Sequence, residues 1–574
     1  MPVLAPRHCC VVFLLCYALH AAQVWPETVT VRAMDPATKT LVPVRIELIN
    51  AQGEAAVAEN ALEIDNQCAF APMPRWLRQK APRSLQNPYT NSVQHYIDGV
   101  GSYELEPGDY SARAFRGPEY RVTSSDFTVE SGRPTEILLT MNRWHDARSG
   151  GWFAADDHLH IGRPTASANL SVATWMGAEG LHIANLLQMG TLTQFGVAPQ
   201  YAFGADGVFR NRDTVLMSGQ EHPRTHLLGH SISLGASVAI DDRDTYILYD
   251  PTFSEVKRVG GINGFAHWGT GPSGYGLAVT VPQGNVEFLE VLGFEYLHLD
   301  AWYQLLSMGF VLAATAGTDF PCLPGVPGRE RFYMQLPGKP TLENVVASIR
   351  GAQTFVTNGP MLRLSINGEG IGSRLTLDEP KEVEVTGTVA FDPDQDLVQI
   401  VELVANGKVV HQWTPDQTGS FEFRQSISVD QPTWFALRAV GAKVSEPLTA
   451  PTTFPKWMQV GFDNWISGGG APEIDEYLKT RQVRQSLAHT SPIWTDIKGV
   501  RVLPGDSEAA QMWVARLEEM ERLFKEGDFE SVKKWDWIPY SDGVSVEHLK
   551  ANASELLAAV IRAKATFSSR SSDR

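Results

Sequence analysis

The chain has 574 residues, 43% apolar and 20% charged, which excludes a largely disordered polymer and, at this length, a single ordinary domain. Its formal net charge of −17 repels phosphate backbones and anionic lipid heads. Nucleic-acid and peripheral-membrane partners are therefore disfavoured, and a small-molecule substrate is expected.

Residues 1–23 read as a secretory signal. Arg7 and His8 precede an apolar run from Cys9 to Leu19, and Ala21 and Ala22 stand before Gln23. The run is too short to span a bilayer, and no later segment is long enough. The expectation is a secreted or periplasmic protein with no membrane attachment after signal removal. Cleavage would leave Cys68 and Cys322, which make neither a disulfide framework nor a thiolate metal site. Metal chemistry here must use histidine and carboxylate.

Residues 25–142 are patterned as a small β-sandwich. Val29 and Val31 alternate with polar neighbours, as do Val44, Ile46 and Leu48, and Thr135 to Met141 adds a closing strand. Asn66 to Gln94, rich in Pro, Arg and Asn, is expected to be a long loop. In residues 143–360 short apolar runs such as Val311 to Ala316 alternate with helical stretches. In one of these, Thr341 to Arg350, Leu342, Val345, Val346 and Ile349 share a face before Gly351. That alternation predicts an α/β domain, barrel-like in form. Residues 361–450 return to β: Val383 and Val385 alternate, and Asn406-Gly407 between two apolar runs predicts a two-residue hairpin. A second β-sandwich is expected there. Residues 451–574 are expected to form a C-terminal extension with helices. Trp513, Leu517, Met520 and Phe524 lie on one helical stripe that serves packing, and Ser568 to Arg574 is expected to fray.

Eight of the 15 histidines lie between His158 and His298, and local histidine excess is a site signal because imidazole offers a neutral nitrogen to metals. His158-Leu-His160 places two imidazoles on one face of a strand, where both reach a cation at about 2.1 Å. Glu221 follows, a carboxylate among His222, His226 and His230. A carboxylate bridges two metals readily, and His230, beside a buried apolar strand, is the natural ligand of the three. His222 and His226 suit positions behind the ligands or facing substrate. His267 ends the apolar run Gly264-Phe-Ala, and Asp319 follows Ala314-Thr-Ala-Gly-Thr. Each element has a structural reading as well: exposed loop histidines, a core-satisfied His267, and Asp319 as a helix N-cap.

The order His-x-His, Glu, His, His, Asp resembles the PHP (polymerase and histidinol phosphatase) metallohydrolase superfamily, and within it the CehA/McbA, carbaryl-hydrolase-like branch. Gly151-Trp-Phe-Ala-Ala-Asp-Asp-His-Leu-His160 resembles that branch's entry into the catalytic domain. Gly229-His-Ser-Ile-Ser-Leu-Gly235 fits its next histidine strand, and Thr354-Phe-Val-Thr-Asn-Gly-Pro360 resembles its exit into a β-sandwich. The likeness covers roughly residues 143–372. It implies a distorted (β/α)7 barrel flanked by two β-sandwich-like domains, in a multidomain chain of α/β and all-β parts. It also implies one metal on His158, His160, Glu221 and Asp319, and a second on Glu221, His230 and His267. Pro321 stands where the superfamily's final histidine belongs, and Ala166 where an earlier one does, which argues for two divalent cations rather than three. Zinc is the first expectation, with manganese or iron as alternatives.

The activity implied is hydrolysis of an ester, amide or carbamate bond by a metal-bridging hydroxide. His226 or His298 would protonate the leaving group, and Asp157 would orient a ligand imidazole. No Gly-x-Ser-x-Gly elbow is present. The alternatives are a phosphoesterase and a non-catalytic exported binding protein with a structural metal. Selectivity would come from the loops Leu187 to Asp213 and Leu323 to Tyr333.

Overall fold

A computed structural model describes residues 25–64, 83–86, 92–190, 195–225, 227–243, 246–267, 274–293, 296–322, 325–441, 486–500, 507–533 and 545–572. The expected signal, residues 1–23, lies outside the described residues, as do His226 and most of the expected loop 66–94. No helix among the described residues is long and apolar enough to cross a membrane.

The architecture is mixed α/β with several sheets. Near the N-terminus, strand Glu27–Asp35 buries Val29, Val31 and Ala33, because successive side chains leave a strand on opposite faces. It pairs antiparallel with Val100–Leu105 and parallel with Thr135–Thr140. A second sheet sets Val44–Asn50 between Val93–Ile97 and Gly108–Phe115, with Thr123–Val129 outside. Both sheets close on one core that includes Val29, Val31, Val44, Ile46, Leu48 and Ala114, which makes a β-sandwich.

The central part holds the strands that carry the expected ligands. In chain order these are β1 (Trp152–Leu159), α1 (Asn169–Ala178), β2 (Ile183–Gly190), β3 (Thr214–Thr225), β4 (Gly229–Leu234), α2 (Tyr249–Arg258), β5 (Ile262–Phe265), α3 (Gly274–Thr280), β6 (Phe288–Gly293), α4 (Asp300–Ser307) and β7 (Ala313–Ala316). Every residue of β2 and of β6 is buried, which explains their continuous apolar runs. β1, β2 and β3 pair in parallel, as do β5, β6 and β7. β3 to β4 and β4 to β5 run antiparallel.

A closed (β/α)7 barrel is not found among the described residues. Two antiparallel steps break the regular alternation. The free edge of β1 is also taken by strand β8 (Arg331–Gln335), which pairs with it antiparallel over Trp152 to Ala155. With that edge occupied, strand pairing between the β7 side and β1 is limited, among the described residues, to the isolated bridge Leu159–Phe320. β8 continues into β9 (Thr354–Thr357). Between them lies α5 (Leu342–Arg350), capped by Thr341 and burying Val345, Val346 and Ile349.

β9 leads into the second sandwich. Met361–Ile366, Lys381–Ala390 and Ser420–Val429 form one sheet. Ile400–Ala405, Lys408–Trp413 and Thr433–Val440 belong to the facing one. Leu362, Val383, Val385, Val401, Leu403 and Leu437 share the core between them. Asn406 (φ 48) and Gly407 (φ 78) make the expected turn. Two further strands, Leu487–Thr490 and Ile493–Ile497, pair with Thr433–Val440. They come from the stretch expected to be a C-terminal extension, so the sandwich draws on chain beyond residue 450. The remaining helices Ser507–Glu526 and Ala553–Ser572 pack together, with Trp513 stacked on Phe567 at 5.7 Å. The last helix runs through Ser568 to Ser572 instead of fraying, and the Arg570 guanidinium lies 3.9 Å over the Phe310 ring.

Candidate metal centre

The strand ends bring all six expected ligands into one cluster. His158 is the penultimate residue of β1, with His160 just beyond the strand's end. Glu221 sits inside β3, opposite Met189 of β2 and Ile232 of β4. The β3–β4 register shifts between Glu221 and Arg224, which sets His230 opposite Arg224. His267 and Asp319 follow β5 and β7 with φ of 26° and 51°. Such left-handed backbone costs a non-glycine residue about 1–3 kcal/mol and gathers at functional sites. Asp156 ties β1 to the Asp319 loop. It accepts from the His158 N–H at 2.9 Å, the Thr318 hydroxyl at 2.6 Å and the Gly328 N–H at 2.9 Å. Burial pushes its carboxyl up to about 7, against those bonds.

Donor atoms of four residues converge. Nε2 of His158 and Nε2 of His160 are 3.0 Å apart, and Asp319 Oδ1 lies 3.4 Å from the first and 3.0 Å from the second. Glu221 offers Oε2 at 3.4 Å from His160 and Oε1 at 3.9 Å from His158. Ligands held about 2.1 Å from one cation are separated by about 3.4 Å in a tetrahedral shell and about 3.0 Å in an octahedral one. The observed separations lie at and just beyond these values, so the donor set fits a cation. A second group, Glu221, His230 and His267, has its donor atoms within 4.8 Å of one another. It is less compact: Glu221 Oε1 is 2.7 Å from His230 Nδ1 but 4.0 Å from His267 Nε2. Glu221 belongs to both of these groups, and a third set equally close, His158, His267 and Asp319, spans them.

Burial alone would raise the Glu221 carboxyl, but Arg224 and His230 hold it well below the usual range. Burial would likewise lower His158, and Glu290 and Asp319 lift it well above. His267 is driven well below its ordinary value, first by burial and then by His230. The site is thus a buried island of fixed charge, the setting in which metal and catalytic groups are found.

The expected catalytic residues are placed differently from the candidate ligands. Asp157 is fully buried, and burial together with Glu290 pushes its carboxyl well up. It makes no hydrogen bond to a ligand imidazole among the described residues. That contact belongs to Glu290, whose Oε1 accepts from His158 Nδ1 at 2.8 Å. The orienting carboxylate comes from β6 because residue 157 adjoins His158 on the strand, and neighbours on a strand leave opposite faces. His298 is buried, its Nε2 faces the Gly293 carbonyl at 3.2 Å, and burial lowers it to about 4. His226 is outside the described residues. His222 is buried edge-on to Tyr246 at a ring separation of 5.0 Å.

Two residues escaped the sequence reading. Glu290 had a signal, a lone acid in the apolar run Phe288–Gly293. Acids are almost never fully buried without a partner. Arg224 had none. Its Nε is 3.1 Å from Glu221 Oε2, and its NH2 group 3.4 Å from His230 Nδ1. Cys322 is also disulfide-bonded, and its N–H donates to the Asp319 carbonyl at 2.8 Å.

Comparisons with protein-family models, with characterised proteins and with solved structures return no match. The chemistry of the site therefore rests on its own geometry.

Proposed function

We propose that this chain is an exported metal-dependent hydrolase acting on an ester, amide or carbamate bond, of the kind its likeness to the CehA/McbA branch of the PHP superfamily implies. The observation that carries the reading is the convergence of His158, His160, Glu221 and Asp319 at separations of 3.0 to 3.9 Å. His158, His160 and Glu221 would hold one divalent cation with Asp319, and Glu221, His230 and His267 a second. Zinc, manganese and iron all suit such a donor set. When bound there, such cations supply Lewis acidity and lower the pKa of water towards neutrality.

Exposure separates an enzyme from a structural metal protein. The side chains of His158, His160 and Glu221 are 0–1% exposed, whereas Asp319 is 19%, His267 14%, His230 11% and Arg224 10%. The cluster therefore has one solvent-facing side, which a substrate needs and a closed structural site lacks. Arg224 stands on that side. In this reading its guanidinium would stabilise oxyanion charge as it develops on the substrate. The same residue favours a second reading, a phosphoesterase, because a guanidinium matches phosphate oxygens in pairs. The Cys322 disulfide favours an oxidising compartment outside the cytoplasm.

Metal analysis of purified protein, followed by a panel of esters, amides, carbamates and phosphoesters, tests the proposal. About two metals per chain are expected, with turnover of a carboxylic or carbamic bond that His158→Ala abolishes. Metal-free protein that stays active would sink it.

A further inference from the structure

Glu290 lies in the middle of β6, where all six residues are buried. Its two oxygens serve two different ligand residues. Oε1 accepts from His158 Nδ1 at 2.8 Å, and Oε2 accepts from the backbone N–H of His267 at 2.5 Å. With the His158 proton on Nδ1, the lone pair of that ring is on Nε2, the atom that faces His160 and Asp319. At His267 the same carboxylate holds a residue whose φ is 26°, a conformation that side-chain-bearing residues seldom adopt without outside support.

One carboxylate thus sets the tautomer of a ligand in the first donor group and the backbone of a ligand in the second. Gly317 packs against it so closely that an added Cβ would lie 2.6 Å from Glu290 Oε1 and 2.3 Å from His158 Cβ. The carboxylate has little room to shift.

We infer that Glu290 is a positioning residue that couples the two metal positions, so that its loss weakens both together. This rests on the proposed metal reading but not on hydrolysis. Glutamine keeps the size of the side chain, but its amide NH2 would face one of the two N–H groups donor to donor, so the side chain is pushed aside and neither contact keeps its geometry.

The test is cobalt(II) titration of the full chain and of Glu290→Gln, followed by calorimetry and by the visible absorption of the bound cobalt. Both binding phases of the variant are expected to weaken about 10–100-fold, the usual cost of losing a carboxylate behind a ligand histidine. The cobalt bands should change shape, and the metal-free melting temperature should not fall by more than a few degrees. Glu290→Asp, too short to reach both donors, should weaken binding in the same two phases and covers the case in which the glutamine variant fails to fold. Wild-type affinity in both variants overturns the inference, as does weakening of one phase alone. Wild-type protein that takes up no cobalt removes the metal reading and this inference with it. Normal cobalt binding without turnover of any substrate removes only the hydrolase reading.

Discussion

Gly317→Ala is the sharpest perturbation of the cluster, because its effect follows from distances alone. Gly317 does not have the positive φ that would make alanine strained, so only space is at issue. The new Cβ would lie 2.3 Å from His158 Cβ, 2.6 Å from Glu290 Oε1 and 2.7 Å from Asp157 Oδ1. Carbon atoms approach to about 3.5 Å without repulsion, so the His158 contact alone demands a movement of about 1 Å. The His158 Cβ is fixed to the backbone of β1 and cannot rotate away, so the end of β1 and the Asp319 loop must separate. The gap from His158 Nε2 to Asp319 Oδ1, now 3.4 Å, would then open to about 4.4 Å, too wide for two ligands about 2.1 Å from one ion. Overpacking of this kind costs about 1–3 kcal/mol of stability, and a misplacement of about 1 Å costs about 100-fold in rate. The assay is metal content after dialysis, with turnover measured against Gly338→Ala, a glycine with nothing within 4 Å of an added Cβ. Full metal content and activity in Gly317→Ala, at a fold stability equal to the control, would refute the reasoning.

Two further outcomes are expected. Arg224→Gln should lower kcat by about 100–1000-fold while metal content holds, since the residue touches Glu221 and His230 from the open side and is not among the proposed ligands; a parallel fall in bound metal would assign it to building the site. Stability should decline on mild acidification. Burial lowers His95 and His298 to about 4 and His489 to about 3, below the unfolded value of about 6.5. Between these limits the unfolded chain binds more protons, so the stability of these neutral rings is complete above about 6.5 and is lost as pH falls through their folded values. Each group contributes a slope of about 1.4 kcal/mol per pH unit in that window. Thermal midpoints measured from pH 7.5 to 5 check this, and a flat profile contradicts it.

What the sequence determined by itself was local. Period-two burial of Val29, Val31 and Ala33, the Asn406-Gly407 turn and the Trp513 stripe are set by side-chain spacing along one segment. The six candidate ligands were legible from local histidine and carboxylate spacing, with His230, His267 and Asp319 beside short apolar runs where a polar residue needs a cause. Tertiary structure alone decided what depends on pairing between distant segments. β8 takes the edge of β1 that a closed barrel would need, and strands from beyond residue 486 complete the second sandwich. Hydrogen bonding across a sheet edge depends on which strand arrives there, and local pattern does not encode that. The partner of His158 was hidden in the same way. Asp157 is adjacent in sequence, but strand alternation turns it aside, and Glu290 reaches the imidazole across 132 residues of chain.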